Sequence, residues 1–289
     1  MFGKLINEAA LTLWLYTESP LSIRSAQGKL LDPRLPDMQC IKSSRNGRDT
    51  VIIPGSSLKG VLRSRYEKCV RLLGGDCCDI LNPQKSCKRP EDWKEQKYEK
   101  QGRYVYERLC PACRLFGSGA IASRISIADA YPVEDGSACL HLGFRTGTAI
   151  NRITGGVQKG ALYEYEVVEE GTFLVHITLK NYELYQMKLL LLVLRDMDDG
   201  FVTLGAGATS GNGRMRTEKL EICLREYRQE AKGWKGALEE DEIPLEPAVD
   251  EGYDWSEAYF GSARLSETTV YGMLDRLAGI CIEKYVGGA

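Results

Sequence analysis

Residues 172–197, TFLVHITLKNYELYQMKLLLLVLRDM, carry the reading on which the fold turns. Thr172 to Lys180 alternates apolar and polar side chains, the period-two pattern of a strand with one buried face. From Leu184 to Met197 the apolar residues recur at helical spacing, and Gly200 stops the helix. A glycine-rich loop, Gly205 to Gly213, then leads into a strand from Met215 to Leu224. Strand, helix, strand is one half of a split β-α-β arrangement. The other half lies upstream. Residues 9–19 alternate as a first strand, residues 20–50 read as a long proline- and glycine-bearing loop, and Val51 to Ile53 is a short strand ended by Pro54 and Gly55. Leu58, Val61, Leu62, Cys69, Val70 and Leu73 then form the apolar stripe of a helix, with Ser56 or Ser57 placed to cap it and Gly74-Gly75 to end it. Arg124 to Tyr131 alternates as a strand, and Phe144 to Ile150 and Ala161 to Val168 are extended segments around a glycine-rich connection. The order predicts an α+β, ferredoxin-like βαββαβ core decorated with insertions.

The chain has 289 residues, 43% hydrophobic and 9% aromatic, which suits a globular protein with a sizeable core and excludes disordered, collagen-like and low-complexity classes. The apolar stretch from Ala9 to Tyr16 lacks the basic flank and small-residue cleavage site of a signal peptide. The longest apolar run, Leu189 to Leu194, is too short to span a bilayer. A cytoplasmic protein with no membrane partner is expected. The two histidines, His141 and His176, sit in no triad-like or metal-ligand context, so histidine-based catalysis is excluded at the outset.

The net charge of −2, from 38 basic and 40 acidic residues, argues against a nucleic-acid partner until it is divided. Residues 217–289 hold 8 basic and 16 acidic residues, which leaves 30 basic and 24 acidic in residues 1–216. Between Pro20 and Arg65 nine basic residues, among them Arg24 and Lys42, face three acidic ones. A solvated face is the plain reading of such a run, and a phosphate-binding face the functional one.

Three glycine-bearing segments suit phosphate contact. At the loop-to-helix junction, residues 53–63, Ser56 and Ser57 lie at a helix N-terminus, and Lys59 and Arg63 share one helical face. The spacing of a Walker A motif is absent. At residues 204–216, Gly207, Ser210 and Gly211 open a backbone to close approach and Arg214 stands beside them. A dinucleotide fingerprint fails there, because the loop follows a helix and precedes a strand. At residues 145–159, Arg145, Asn151, Arg152 and Lys159 decorate a polar hairpin tip. An ordinary capped helix, a tight turn and a mobile loop are the respective alternatives.

Six of the ten cysteines lie between Cys69 and Cys113. Cys110-Pro-Ala-Cys113 has the spacing that lets two thiolates reach one tetrahedral zinc, and Cys78 and Cys87 are the chosen second pair, with Cys77 as competitor. A redox C-x-x-C is the rival, although it wants a thioredoxin-like context that the pattern lacks. A site closed by four thiolates is structural, since no position is open to substrate.

Five motifs together resemble one family. Residues 52–60 (IIPGSSLKG), 110–118 (CPACRLFGS), 149–156 (AINRITGG), 159–166 (KGALYEYE) and 204–214 (LGAGATSGNGR) are similar, in this order, to the RAMP superfamily, and most of all to the backbone subunits of type III CRISPR effector complexes. The resemblance runs from about residue 10 to residue 224. It implies an RRM-like domain over 1–224, with a zinc-binding insertion at about 69–113 and a thumb-like hairpin at about 144–168, followed by an acidic C-terminal extension over 225–289. It further implies packing along a guide RNA (crRNA), a complementary target RNA as substrate, and similar subunits as neighbours. Catalytic members cut the target with a loop aspartate and a divalent cation, Mg²⁺ or Mn²⁺. Asp37-Met-Gln-Cys-Ile-Lys42 matches the aspartate motif, so Asp37 is the carried-over candidate and Asp32 the fallback. A turn residue after Pro36 is the plain reading of Asp37. A purely structural RNA-binding subunit, and more remotely a zinc or thiol redox protein, are the competing functions.

Overall fold

The structure, a computed structural model, describes residues 3–24, 36–45, 47–88, 90–133, 140–229, 231–238, 242–245, 253–255 and 259–286. Its centre is β1 (Asn7–Thr17), whose alternation is the pattern read from the sequence: Ala9, Leu11, Leu13 and Leu15 are buried while Ala10, Thr12, Trp14 and Tyr16 stay partly accessible. β1 pairs antiparallel on one side with β8 (Thr172–Lys180) and on the other with β9 (Met215–Glu226). β4 (Ile125–Ile127) and the short β5 (Tyr131–Pro132) pair with β8. The core strands therefore run β9-β1-β8-β4, the order of a split β-α-β, RRM-like sheet.

Two long helices cover one face. α1 (Gly55–Leu72) turns Leu58, Leu62, Tyr66 and Val70 inward. α4 (Leu184–Asp198) is buried almost all round, with Leu189, Leu190, Leu191 and Val193 fully inaccessible. Such a helix needs a firm start, and a capping box supplies it: the Glu183 backbone N–H donates to Gln186 Oε1 at 3.1 Å. α1 starts differently from the expectation. Neither Ser56 nor Ser57 caps it; Pro54 is the N-cap residue, and the Gly55 N–H donates to Asp129 Oδ1 at 2.8 Å. The capping carboxylate comes from a distant segment, which local spacing cannot reveal.

The presumed loop 20–50 also holds a hairpin, β2 (Lys42–Arg45) with β3 (Arg48–Val51). Only Val51 of its eight strand residues is buried, so no apolar alternation announces it. β6 (His141–Gly147) and β7 (Tyr163–Glu170) form the long projecting hairpin. The cysteine-bearing segment carries α2 (Tyr98–Glu107) and α3 (Pro111–Phe116) over a small separate core of Val105, Tyr106, Leu109, Cys113, Ala120 and Ile121.

After residue 224 the chain returns to the core. A small β10–β11 pair (Gly233–Lys235 with Glu242–Pro244) is followed by β12 (Gly261–Leu265), which adds to the main sheet beside β9. α5 (Val270–Arg276) follows, with Val270 and Met273 buried, and α6 (Glu283–Val286) comes last. Among the described residues no helix is long and apolar enough to cross a membrane.

Candidate functional site

The strand register gathers the glycine-rich loop, the base of the β6–β7 hairpin and the chain that follows β1 at one end of the sheet, whereas α1 meets β4 toward the other end. β1 leaves the sheet at Thr17, which pairs with Met215 and donates its N–H to Gly171 O at 3.1 Å, where β7 turns into β8. The chain beyond it, residues 18–22, is a landing strip. Leu21 bridges Val168 of β7. The glycine-rich loop docks on the same strip through Ala206 N–H to Ser22 O and Gly213 N–H to Pro20 O, both 2.8 Å. That docking needs glycine twice. Gly205 and Gly213 have φ of +77° and +83°, and a Cβ on them would strike the carbonyls of Ser22 and Leu204. The tip is left outside: Gly207 and Gly211 flank an exposed turn, Ala208–Ser210, and Arg214 is half-exposed with Glu18 3.7 Å away.

The aspartate segment lies along β7. Met38 donates its N–H to Glu164 O at 3.2 Å and accepts the Glu166 N–H at 2.9 Å. Asp37, just before it, is exposed and takes the Glu164 N–H on Oδ2 at 3.1 Å. Asp32 lies outside the described residues. Arg24 bridges Cys40 and lays its guanidinium over the Tyr165 ring, 5.0 Å from the centroid. Lys42 pairs with Glu166 at 3.0 Å, and the other Glu166 oxygen receives the Cys40 N–H at 3.0 Å. Burial, helped by the Glu166 carboxylate, pushes the Cys40 thiol up to about 11, so it is no nucleophile. Glu166 is buried, and removing its cation leaves a poorly compensated charge. Lys42→Ala is expected to cost about 1–3 kcal/mol in chemical denaturation, with Glu166→Gln in the same background restoring most of it.

On α1, Ser56 is exposed and Ser57 half-buried. Lys59 and Arg63, expected to grip a phosphate backbone together, both turn to the protein. Lys59 donates to Ser123 Oγ at 2.9 Å and Ile125 O at 3.3 Å, and burial, then Arg63, lowers its pKa. Arg63 donates to Glu67 at 2.9 Å, to Gly117 O at 3.0 Å and to Cys113 Sγ at 3.3 Å.

The β6–β7 hairpin is held by Asn151, whose Oδ1 accepts the N–H groups of Ile153 (2.9 Å) and Thr154 (3.1 Å). Arg145 pairs with Glu169 at 3.2 Å, and Arg152 and Lys159 are exposed. The hairpin also presents apolar side chains to solvent: Phe144, Ile150, Val157 and Leu162 are each about two-thirds exposed, and Ile153 is 95% exposed. A concentration of this kind marks an interaction surface.

Cys78, Cys87, Cys110 and Cys113 bring their sulfurs within 4.8 Å of one another. Zinc–sulfur bonds of about 2.3 Å place tetrahedral thiolates roughly 3.8 Å apart, so the four fit one zinc ion. Cys77 hydrogen-bonds Cys110 from one side but falls outside the set. Hydrogen bonds from Cys113, Cys77 and Cys87 lower the pKa of Cys110, whereas hydrogen bonding to Cys110 drives Cys113 up, and Cys87 to about 11. The Cys110 N–H reaches Cys87 Sγ at 3.4 Å, and Arg63 adds its bond to Cys113, both of which support ligand charge. A redox pair needs two sulfurs; this site assembles four.

Sequence reasoning missed Asp129 as the α1 cap, Glu166 as the buried anchor of the aspartate segment, and Arg63 as a prop of the cysteine set. Each depends on partners far away in the chain. The model of one family, the RAMP superfamily, matches residues 14–216, from within β1 to the start of β9. No curated protein matches the chain.

Proposed function

The chain belongs to the RAMP superfamily, hence to CRISPR-associated RNA-binding subunits, and from that premise we propose that it is a backbone subunit of a type III CRISPR effector complex, holding the crRNA and cutting complementary target RNA beside Asp37. The observation that carries this reading is the docking of residues 36–41 along β7. It sets an exposed carboxylate beside Glu164, at the outer end of the β6–β7 ladder and beneath a tip that is apolar and basic. The resemblance to type III backbone subunits implies that such a hairpin wedges between guide and target strands, an apolar tip suits that role, and a wedge splays the target backbone beside the tip. In a splayed RNA the 2′-hydroxyl lines up with the adjacent phosphorus. Asp37 would take the hydroxyl proton as the 2′-oxygen bonds to phosphorus and the P–O5′ bond breaks, the leaving 5′-oxygen taking a proton from water; a divalent cation held by Asp37 would instead supply charge stabilisation at that phosphate. One carboxylate suffices only when RNA supplies the remaining ligands, and among the described residues the cysteine set is the only cluster of three or more metal-ligating side chains.

The purely structural subunit is the second reading, favoured by that lone carboxylate. Cleavage by the assembled complex with Mg²⁺, lost with chelator, separates the two. RNA binding itself is tested at the hairpin. Arg152→Ala with Lys159→Ala is expected to weaken RNA binding and to lower the slope of log affinity against log salt by about 0.7–0.9 per charge removed. An unchanged slope in a fluorescence-anisotropy salt titration removes these residues from the phosphate contacts.

A further inference from the structure

Among the described residues the helices cover one face of the sheet. The other face presents Thr12, Trp14 and Tyr16 of β1, Leu174 and His176 of β8, and Arg216 and Lys219 of β9. Trp14 stands opposite Leu174 on one side and Lys219 on the other, and Thr12 opposite His176. A cavity of about 600 Å³ opens on this face, lined by Trp14, Leu174, His176, Tyr131, Arg45 and Asp129. That volume suits a small planar ligand.

We propose that this cavity is a second RNA-contacting site, in which Trp14 and Tyr131 receive one base of single-stranded RNA. The inference rests on the RNA-binding reading above and goes beyond it, since neither the hairpin nor the Asp37 segment includes these residues. The chemistry selects a base. Two aromatic rings and a leucine make an apolar floor, and the Asp129 carboxylate repels a phosphate placed inside. Oδ1 of Asp129 already holds the Gly55 N–H, which leaves the other oxygen to accept an amino group on a base edge. His176 turns Nδ1 to the Thr12 hydroxyl at 3.2 Å, which leaves Nε2 for the same edge. The cations stand on the rim. Arg45 lies over Tyr131 and Lys219 over Trp14, each 4.6 Å from the ring centroid, and Arg216 flanks Tyr16 at 5.9 Å. These long exposed side chains can swing to the phosphates on either side of a bound base. Base stacking on an aromatic ring outweighs an exposed cation–ring contact, so the exchange is favourable. Bases of a duplex are closed to such a pocket, so the ligand is single-stranded. β2, which carries Arg45, begins five residues after Asp37, so the pocket lies within a short chain distance of the aspartate segment.

The test uses the full chain and a fluorescent single-stranded RNA containing 5-iodouridine. Irradiation of the wild-type complex is expected to give an adduct on Trp14, Tyr131 or His176, read by peptide mass spectrometry. Trp14→Ala is expected to weaken binding about 5- to 100-fold with an unchanged salt slope, and Trp14→Phe to recover most of that loss. Adducts confined to other faces overturn the proposal, and so does Trp14→Ala binding within twofold of wild type. Both results leave the RNA-binding reading standing. A wild-type chain that binds no RNA overturns both.

Discussion

Replacing Asp37 by alanine is expected to lower target-RNA cleavage at this subunit's site by about 10²- to 10⁴-fold, the usual weight of a general base, and to leave RNA binding and assembly intact. The separation follows from the geometry. Asp37 is exposed and, among the described residues, its carboxylate makes one hydrogen bond, to the Glu164 N–H. Its loss costs about 0.5–1.5 kcal/mol of stability at most, because the segment stays fixed on β7 through Met38 and through the Lys42–Glu166 pair. An acidic side chain adds no attraction to phosphate, so affinity does not fall. Asp37→Asn sharpens the test. Its amide oxygen still accepts the Glu164 N–H but carries no charge, so a positional role survives and a proton- or metal-handling role does not. Equal loss in both variants places the chemistry on the carboxylate. Full cleavage by either variant, measured as product yield across the target, removes Asp37 from the mechanism.

Removing zinc is expected to have the largest effect on structure. Structural four-ligand sites bind zinc with apparent energies of about 10–16 kcal/mol near neutral pH, and that energy is folding energy. The unit it supports is the small core around Val105, Tyr106, Leu109 and Cys113, which is separate from the main one. Chelation, or Cys110→Ser, is therefore expected to open residues 78–109 to protease while Leu115 and Phe116, which pack in the main core, α4 and the central strands stay protected. One zinc per chain and four thiols released to a thiol reagent on chelation are the accompanying results. Zinc must displace thiol protons, so its affinity falls as the pH is lowered. The same protease pattern with and without chelator, in a chain free of zinc, contradicts the assignment.

Most of the sheet was legible in the sequence because one face of each central strand is buried. β8 runs over the same residues, Thr172–Lys180, that its alternation marks, and α4 ends one residue beyond its expected limit. The cysteine set was legible from spacing, because two thiolates in C-x-x-C constrain each other locally. What failed was whatever depends on partners far along the chain. The β2–β3 hairpin has almost no buried residue to mark it. The α1 cap comes from Asp129, 74 residues away, so the two serines that looked like caps are left free for other contacts. Lys59 and Arg63 share a helical face as the spacing requires, but that face is partly covered and both side chains bond back to the protein, at Ser123 and Cys113. Spacing shows which side chains lie together and is silent on what they lie against. The acidic extension, residues 225–289, was set apart from the core domain, yet Ala263 and Leu265 of β12 are buried in the main core.

The central claim is that Asp37 meets a splayed target strand beneath the tip of the β6–β7 hairpin. The most direct measurement is a structure of the assembled complex, with crRNA and an uncleavable 2′-deoxy target. The account predicts Ile153 and its apolar neighbours wedged between the strands, the target backbone splayed beside them, and the Asp37 carboxylate next to the splayed phosphate. A continuous guide–target duplex past the hairpin, or a target phosphate path that never approaches residues 36–41, would contradict it.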